Sequence, residues 1–478
     1  MHDTASGSVP AHALTGYWQN FPNPAPFQTL GEVPSQYDII AVAFATPDLT
    51  TPGAIDFFLD PSFPVTHNYT DADFRQDIAD KQAAGKSVIL SVGGQFGDIH
   101  ITDSASAANF TASAFGILEE YNFDGIDIDI EASAGSFTKS ALKKALVDLN
   151  DLFQASEGRP MVLTMAPQTL DMTAAAVGPT PPPTATPYFL TALALQDKGI
   201  LTVVNTQYYN SGSMFGCDGN VYFQGTVDFL TALACVQMEN GLDPTHVGLG
   251  LPTAMPAAPA GGYVDPSVVV DALQCLMTGG SSGTCGAFTP PASYPTLRGA
   301  MGWSTNWDLT NTPQNEWSST VGGYIGSLPL PELTPIRTTT DGKFVRNGKG
   351  TYTLTVANTG DAPTDGSAVT LTSALSAGLR PVRLTGTGWN CTLARLSCTR
   401  RDILQPGTSY PPLRLTVKIT KDARKKVANT VTVTGGGMTG TSTATTTTAV
   451  KKKHKPPHPH QNRPDRDQPD SHTQQRGF

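Results

Sequence analysis

The sequence predicts an α/β protein in which a (β/α)8 TIM barrel is followed by a small all-β sandwich, Ig-like in character, and a disordered tail. The first observation is a series of eight short apolar segments of strand length, at residues 14–18, 37–45, 87–94, 123–131, 161–167, 201–209, 246–252 and 298–304. Helix-compatible stretches lie between them, such as 141–156 and 226–241. Buried strands separated by helices are typical of a barrel, with a doubly wound open sheet as the main alternative.

The second observation is a change of pattern near residue 330. Pro and Thr cluster there, and beyond them apolar residues alternate with polar ones, as in strands with one buried face. The final segment is Pro-rich, polar and nearly devoid of apolar side chains, so we expect disorder there. The predicted parts are an N-terminal flank at 1–11, the barrel at 12–326, a linker at 327–337, the sandwich at 338–435, and a Thr-rich linker with the tail at 436–478.

The third observation is that the two folded parts carry opposite charge. Residues 1–330 have a net charge of −22, whereas residues 331–450 have a net charge of +9. The acidic part repels nucleic acid and anionic membranes, so neither is an expected partner. No apolar run approaches the roughly 18 residues of a membrane span. The basic part is suited to contact with an anionic cell-wall polymer, with a merely solvated surface as the competing interpretation.

The six cysteines form three clusters close in sequence. Because no Cys-x-x-Cys spacing or His cluster accompanies them, we expect neither a metal site nor a cofactor. The predicted disulfides are Cys217–Cys235, Cys275–Cys285 and Cys391–Cys398. Disulfides imply an oxidising compartment, and hence a secreted protein. The first residues lack the apolar core of a signal peptide, so we expect the export signal to have been removed. A monomer is the expected state.

The most informative segment is 124–131, in which carboxylates and isoleucines alternate. In a β-strand this period of two places Asp127, Asp129 and Glu131 on one face and the isoleucines on the other. The β-branched isoleucines favour extended structure, which argues against a calcium-binding loop. Within a barrel, the isoleucines would pack under the outer helices and the carboxylates would point inward.

Three carboxylates spaced two residues apart lie roughly 6–7 Å from one another along a strand. Crowded in a confined site, they cannot all ionise at low cost, so at least one holds a proton near neutral pH. A glycosidase needs such a protonated acid to donate to the leaving oxygen. Glu131 lies nearest the C-terminal end of the strand, where barrel enzymes carry out their chemistry. We therefore expect Glu131 to stay protonated as the proton donor, with Asp129 sharing its proton.

Two motifs in this region resemble the signatures of family 18 glycoside hydrolases over roughly residues 12–325. The D-x-x-D-x-D-x-E signature is matched by Asp124, Asp127, Asp129 and Glu131, and the S-x-G-G signature by Ser91, Val92, Gly93 and Gly94. The run 207–210, Gln-Tyr-Tyr-Asn, and Trp303 resemble most closely the bacterial single-barrel, endo-acting chitinases. The resemblance implies hydrolysis of chitin or chitooligosaccharides, polymers of β-1,4-linked N-acetylglucosamine.

The resemblance also implies a retaining, substrate-assisted mechanism. Glu131 would protonate the glycosidic oxygen while the 2-acetamido oxygen of the substrate attacks the anomeric carbon, forming an oxazolinium intermediate. Asp129 would hold the acetamido group, Asp127 would modulate the proton on Asp129, and Tyr209 would hydrogen-bond the acetamido oxygen. Enzymes of this type have no side-chain nucleophile.

Further positions are carried over from the family as expectations. The predicted cleft-lining residues are Tyr17, Gln19, Phe44, Gln168, Gln207 and Trp303. Asp124, Ser91, Gly93 and Gly94 are expected to be structural, the glycines allowing close backbone packing beside the acidic strand. Two alternatives remain open for the barrel: an endo-β-N-acetylglucosaminidase acting on N-glycans, and a chitin-binding, lectin-like barrel.

The sandwich resembles the Thr- and Asn-rich Ig-like repeats of the DUF11 type. It contains no catalytic cluster. Trp389 beside Cys391 is typical of a sandwich core, which favours a role as spacer or wall contact over chitin binding.

Overall fold

The computed structural model describes residues 9–97, 99–131, 135–173, 186–339 and 343–451. Its first part is a closed barrel of parallel strands: β1 (Ala13–Gln19), β2 (Ile39–Pro47), β3 (Ser87–Gly93), β4 (Gly125–Asp129), β5 (Val162–Met165), β6 (Val203–Gln207), β7 (Val247–Pro252) and β8 (Gly299–Trp303). Neighbours in sequence pair in parallel, and β1 pairs with both β2 and β8, which closes the barrel. This closure confirms the predicted TIM-like barrel and excludes the doubly wound open sheet.

Helices follow seven of the eight strands in the described part of the chain. They are α1 (Asp71–Ala83), α2 (Ser104–Tyr121), α3 (Lys139–Glu157), α4 (Pro187–Lys198), α5 (Val227–Glu239), α6 (Pro266–Thr278) and α7 (Glu316–Gly326). Only the 3-10 turn Leu30–Glu32 lies between β1 and β2. That connection contains Pro22, Pro24, Pro26 and Pro34, and proline is excluded from helix interiors.

Shorter elements decorate the barrel. They are the strand Ile55–Asp56, the helices Phe63–Thr66, Thr169–Thr173 and Thr305–Asp308, the 3-10 turns Pro244–His246 and Met255–Ala257, and the hairpin of Ser213–Phe215 with Val221–Phe223. The longer helices have ordinary end signals: in α3, the Thr138 side chain accepts from the Ala141 N–H, and Gly158 closes the helix with a φ of 79°.

The C-terminal part consists of two β-sheets. Its strands are β9 (Leu333–Thr339), β10 (Lys343–Val345), β11 (Lys349–Asn358), β12 (Val369–Leu375), β13 (Leu379–Gly386), β14 (Asn390–Thr392), β15 (Ser397–Arg400), β16 (Leu413–Ile419), β17 (Lys426–Thr434) and β18 (Ser442–Lys451). One sheet has the order β9-β11-β16-β13 and the other β10-β18-β17-β12-β15-β14. Apolar side chains at alternate positions of both sheets form a separate core, as the period of two predicts.

The predicted linkers on both sides of the sandwich contain strands. Strand β9 begins at Leu333, inside the predicted linker 327–337, and β18 occupies most of the predicted Thr-rich linker. Eight residues of β18 pair antiparallel with β17. The prediction relied on the low complexity of the segment, but threonine is β-branched and favours strands when a partner strand is available.

The three predicted disulfides are present, as Cys217–Cys235, Cys275–Cys285 and Cys391–Cys398. Trp389 is buried in the sandwich core, where its ring packs edge-on against Tyr410 at 5.6 Å and its Nε1 donates to the Pro411 carbonyl. Across the described ranges, no helix is both long and apolar enough to traverse a bilayer. The predicted tail from 452 onward, most of the predicted N-terminal flank and the Pro-rich stretch at 174–185 lie outside the described residues.

The sandwich contacts the end of the barrel at which the strands begin. Arg298, directly before β8, pairs with Asp365 of the sandwich at 3.0 Å, and both side chains are buried. The same guanidinium donates to the carbonyls of Pro10 and Thr245. Nearby, the Ala11 N–H donates to the Gly437 carbonyl. The joint is therefore made of buried, fully engaged polar groups at the barrel floor.

Candidate active site

The acidic segment lies on β4 and the residues that follow it. The isoleucines at 126, 128 and 130 are buried in the core between strands and helices. Asp127 and Asp129, on the opposite face, are buried inside the barrel, and Glu131 lies just beyond the end of the strand, half-buried. The alternation therefore sorts the side chains as the period of two predicted.

Asp127 sits deepest and is held by three hydroxyl donors from three other strands. Its carboxylate accepts from the Tyr17 hydroxyl at 2.6 Å, the Ser91 hydroxyl at 2.7 Å and the Thr164 hydroxyl at 2.5 Å. Burial raises the pKa of Asp127, and these hydrogen bonds oppose the rise. Asp127 is thus a fixed acceptor below the other two acids. Ser91, expected to be structural, contributes directly to this arrangement.

Asp129 and Glu131 share a donor on the neighbouring wall. The Gln207 Nε2 donates to Asp129 at 2.8 Å and to Glu131 at 3.1 Å, and it also contacts the Ala166 carbonyl. Burial raises the pKa of Asp129 well above its usual range, and the charges of Glu131 and Asp127 raise it further. Burial also raises the pKa of Glu131, while hydrogen bonds from Gln207 and Gln168 oppose that rise.

The stronger shift thus falls on Asp129 and not on Glu131, which the sequence analysis expected to stay protonated. The reason is depth: Asp129 is enclosed between two other acids, whereas Glu131 borders the cleft and has two amide donors. The Asp129–Glu131 pair therefore retains a proton at a pH where isolated carboxylic acids have lost theirs.

Two groups fix the backbone around these acids. The Tyr188 hydroxyl, from α4, donates to the Ile128 carbonyl at 2.5 Å and accepts from the Ile130 N–H at 3.3 Å, which holds the chain where it leaves the strand. On the other side, a side chain at Gly93 would lie 2.2 Å from the Asp129 carbonyl, and φ at Gly93 is 119°. Gly93 therefore permits the close packing of β3 against the acidic strand.

Gly94 serves the aromatic floor of the site in the same way. A side chain at Gly94 would lie 2.6 Å from the ring of Phe44. The Phe44 ring stacks on Trp303 with centroids 5.8 Å apart, and Tyr17 packs edge-on against Trp303 at 5.5 Å. These rings form an apolar surface next to the carboxylates.

A cleft of about 1250 Å³ opens at the C-terminal ends of the strands. Most of the sequence-predicted site residues line it: Phe44, Gly93, Gly94, Asp129, Glu131, Gln168, Gln207, Tyr209 and Trp303. Tyr209 lines the same cleft as Asp129 and Glu131. Burial raises the pKa of the Tyr209 phenol, and the charges of these two acids raise it further.

Tyr17 and Gln19 lie beneath the cleft and do not line it. Both are buried; Tyr17 is turned down toward Asp127, and both amide atoms of Gln19 lie in the interior. Asp124 lies at the other end of β4, where it pairs with Arg159 at 2.7 Å and accepts from the Val88 N–H. These positions match a supporting role for Tyr17 and Asp124. Among the described residues, no group of three or more His, Cys, Asp or Glu could hold a metal ion.

Sequence reasoning missed several residues at the site. The cleft is also lined by Asp56, Phe58, Phe96 and Asn210. Asp171 lies after β5 and interacts electrostatically with Glu131. Burial raises the pKa of Asp171 to about 6, and the charge of Glu131 adds to the rise. Of these missed residues, Thr164 could have been found from the sequence, because it is a polar residue in an otherwise apolar strand. Tyr188 follows the Pro-rich stretch, and nothing in the sequence pattern around it indicated a role at the site.

This geometry offers a defined set of chemical functions. Glu131 presents a carboxyl group to the cleft. Behind it, the carboxyl groups of Asp129 and Asp127 can hold a negative charge or a proton. Tyr209 and Gln207 supply uncharged hydrogen-bond donors. Trp303 and Phe44 supply an apolar surface suited to the face of a pyranose ring. The site can therefore protonate a leaving group on a ligand that is polar at its edges and apolar on its faces.

Several known proteins resemble the barrel part of the chain. Residues 13–265 match the family model described as Glycosyl hydrolases family 18. Chitinase D of Niallia circulans is 35% identical over 337 residues, which cover 66% of this chain and 62% of that protein. The chain spans between 57% and 62% of the lengths of three curated bacterial chitinases that it matches.

Solved structures match the same part of the chain. A structure assigned to chitinase A of Streptomyces coelicolor is 52% identical, with a TM-score of 0.59, and the match covers 66% of this chain and 99% of that one. A family GH18 chitinase from Chromobacterium violaceum is 32% identical, with a TM-score of 0.57, over 67% of this chain and 85% of that one. The likeness thus accounts for about two thirds of the molecule.

Proposed function

The chain belongs to family 18 of the glycosyl hydrolases, and on that premise we propose that it is a chitinase that cleaves β-1,4-linked N-acetylglucosamine polymers with retention of configuration. The observation that carries the proposal is the series of three acids along β4 and the residues that follow it. Asp127 is held by three hydroxyls, Asp129 is buried above it, and Glu131 is exposed to the cleft. Such an arrangement stores a proton beside the cleft.

The proposed reaction starts when a sugar covers Glu131. Loss of contact with water raises the pKa of the Glu131 carboxyl, so the proton of the Asp129–Glu131 pair moves to the residue that faces the substrate. Glu131 then donates this proton to the glycosidic oxygen as the bond from that oxygen to the anomeric carbon breaks. The leaving sugar departs as an alcohol.

The nucleophile in this proposal is the substrate's own acetamido oxygen. It forms a bond to the anomeric carbon and gives an oxazolinium ion, with Asp129 accepting a hydrogen bond from the acetamido N–H and Tyr209 donating to the acetamido oxygen. Water then adds to the anomeric carbon, Glu131 takes the proton of that water, and the ring of the oxazolinium opens. Two inversions leave the configuration retained.

Two alternatives are weighed against this proposal. A lectin-like barrel would require the acid to be without catalytic use, but Glu131 is present, faces the cleft and shares the donor Gln207 with Asp129. An endo-β-N-acetylglucosaminidase would use the same acids on N-glycans. The printed names of the similar proteins favour chitin as the substrate.

We also propose that the protein acts outside the cell. Three disulfides join all six cysteines, and such pairs persist in oxidising compartments. The expected substrate, an insoluble polymer, is likewise extracellular.

The test is to incubate the full chain with chitin tetramer and follow the products by NMR, which resolves the anomers. We expect release of disaccharide whose new reducing end is first the β-anomer. An α-anomer would overturn the retaining mechanism. Binding without any product would identify a lectin, and cleavage of an N-glycan in a parallel reaction with no attack on the tetramer would identify the N-glycan enzyme.

A further inference from the structure

The sheet β9-β11-β16-β13 of the sandwich has one face toward the domain core and one toward solvent. Five exposed cations share the solvent face, and we call them the cationic face: Lys349, Arg380, Arg383, Arg414 and Lys418. They lie on the three adjacent strands β11, β16 and β13. Between them, the same face carries threonines at positions 351, 353, 385 and 416.

The register places three of these cations in one row across the strands. Lys418 of β16 is directly opposite Lys349 of β11 on one side and Arg380 of β13 on the other. In the next rows, Arg383 is opposite Thr416, and Arg414 lies between Thr353 and Thr385. Side chains directly opposite one another are about 5 Å apart at Cβ, and like charges there are destabilising.

Nothing in the described part of the chain neutralises this row. Among the described residues, no carboxylate forms an ion pair with any of the five cations, whereas an exposed pair does form elsewhere, between Lys144 and Asp148. No ion pair with another described residue therefore offsets the repulsion within the row, and a bound anion would relieve it.

We propose that the cationic face binds an anionic polysaccharide, one that carries a carboxylate on each repeating sugar. The flat arrangement of cations in three rows suits charges repeated along an extended chain, and the intervening threonines offer hydroxyls to the sugar hydroxyls. Chitin is uncharged, so this ligand is distinct from the proposed substrate.

The first experiment measures binding of the full chain to polygalacturonate as a function of salt, with the methyl-esterified, uncharged form of the same polymer as the ligand control. The test variant replaces the row: K349A, R380A and K418A together. The protein control removes the same charge from the exposed loop after β16: K421A, R424A and K425A. Loss of counterion release should lower the affinity of the row variant at least ~10-fold at low salt and flatten the salt dependence by about two counterions.

Several results would overturn the proposal. One is an equal loss in the row and loop variants, which would show that diffuse charge is sufficient. Others are undiminished binding to the uncharged polymer, no binding of the wild-type chain at low salt, and tighter binding of duplex DNA or anionic lipid vesicles than of polygalacturonate at the same ionic strength. Retained affinity in the row variant, with loss in the loop variant, would move the site to the loop.

A second experiment tests the energetic premise and does not depend on finding the ligand. Replacing only the middle cation, Lys418→Thr, should raise the melting temperature of the sandwich at low salt, because it removes two unfavourable pairs. The increase should vanish near 1 M salt, where charges are screened. A melting temperature that is unchanged or lower at low salt would show that the row is not under repulsion. The wild-type chain and every variant should cleave chitin tetramer equally well. Failure of the wild type would count against the proposed function alone, whereas a loss confined to the variants would show that the cationic face influences the cleft.

Discussion

Three like charges lie close together both along the acidic segment of the barrel and in the row through Lys418 on the cationic face of the sandwich. The two groups of charges differ in their exposure to solvent. Asp127 and Asp129 are buried and held by hydrogen bonds, with Glu131 at their edge. The row through Lys418 is open to solvent and has no protein counter-charge in the described ranges. Burial converts the first crowding into a shift of pKa, so a proton is retained. Exposure leaves the cations of the row charged, and a bound anion can compensate that charge.

Closely spaced like charges therefore have one use where they are buried and another where they are exposed. In the barrel, the crowded acids give reactivity toward a neutral ligand. On the sandwich, the crowded cations give attraction toward a charged one. Substitutions at the buried acids and at the joint between the two parts should separate these two uses of crowded charge.

The largest effect is expected for Glu131→Gln. The amide keeps the shape of the acid but cannot donate the required proton, so turnover of chitin tetramer should fall by at least ~1000-fold. Binding of the oligosaccharide, measured by calorimetry, should change little. The exposed Glu157→Gln serves as the control. More than a few per cent of residual activity would show that another group is the acid.

A large effect on stability, with none on catalysis, is expected for Asp365→Ala. This change leaves the buried guanidinium of Arg298 without its carboxylate, which should cost about 3 kcal/mol of unfolding free energy. Asp148→Ala, which removes the partner of Lys144 from a pair exposed on both sides, should cost no more than about 1 kcal/mol. Chemical denaturation provides the measurement. If Asp365→Ala lowers kcat on soluble oligomers, the joint influences the active site, and the prediction of an effect on stability alone is wrong.

An intermediate effect is expected for Tyr17→Phe, which removes one of the three donors to Asp127. Without that donor the pKa of Asp127 rises, and a proton is drawn from the Asp129–Glu131 pair. We expect about tenfold lower kcat/KM and an alkaline limb of the pH profile that moves to lower pH. Tyr208→Phe is the matched control, since that buried hydroxyl accepts from Gln237 and has no carboxylate partner. An unshifted limb in Tyr17→Phe would contradict the proton-sharing role of Asp127.

The smallest effect is expected for Asp171→Asn. Burial raises the pKa of Asp171 to about 6 in the folded protein, above its ordinary value of 3.8. The folded state therefore binds this proton more tightly than the unfolded state, and stability contributed by Asp171 declines as pH rises from about 4 to about 6. The variant should lack this contribution, so its melting temperature should exceed that of the wild type at pH 7 by more than at pH 4. A constant difference across that range would show that Asp171 titrates normally.

The sequence was most informative where a side chain's role follows from a strict period. The alternation in 126–131 predicted which residues face the barrel interior, and the local spacing of the cysteines predicted their pairs. Eight strand-like segments predicted the closed barrel with an open sheet as the alternative, and the pairing of β1 with both β2 and β8 decides between the two.

The remaining differences have physical causes that a linear pattern does not contain. Tyr17 and Gln19 were predicted to line the cleft, but their depth along the barrel axis places them beneath it. The larger pKa shift at Asp129 depends on enclosure, which only the folded chain defines. The Thr-rich segment became β18 because β17 offers it a partner, and the contribution of Tyr188 depends on how α4 packs against the end of β4.

The buried pair of Arg298 and Asp365 affects how the cleft is positioned when the protein is bound to a solid surface. The joint sits where the strands begin, whereas the cleft opens where they end. A sandwich bound to a surface through its cationic face would hold the cleft at a fixed height and orientation. A flexible linker would instead let the barrel take up many orientations. The molecule held at a fixed height would reach only the polymer ends or loops that rise to that height, and it would have to detach and land again to reach others.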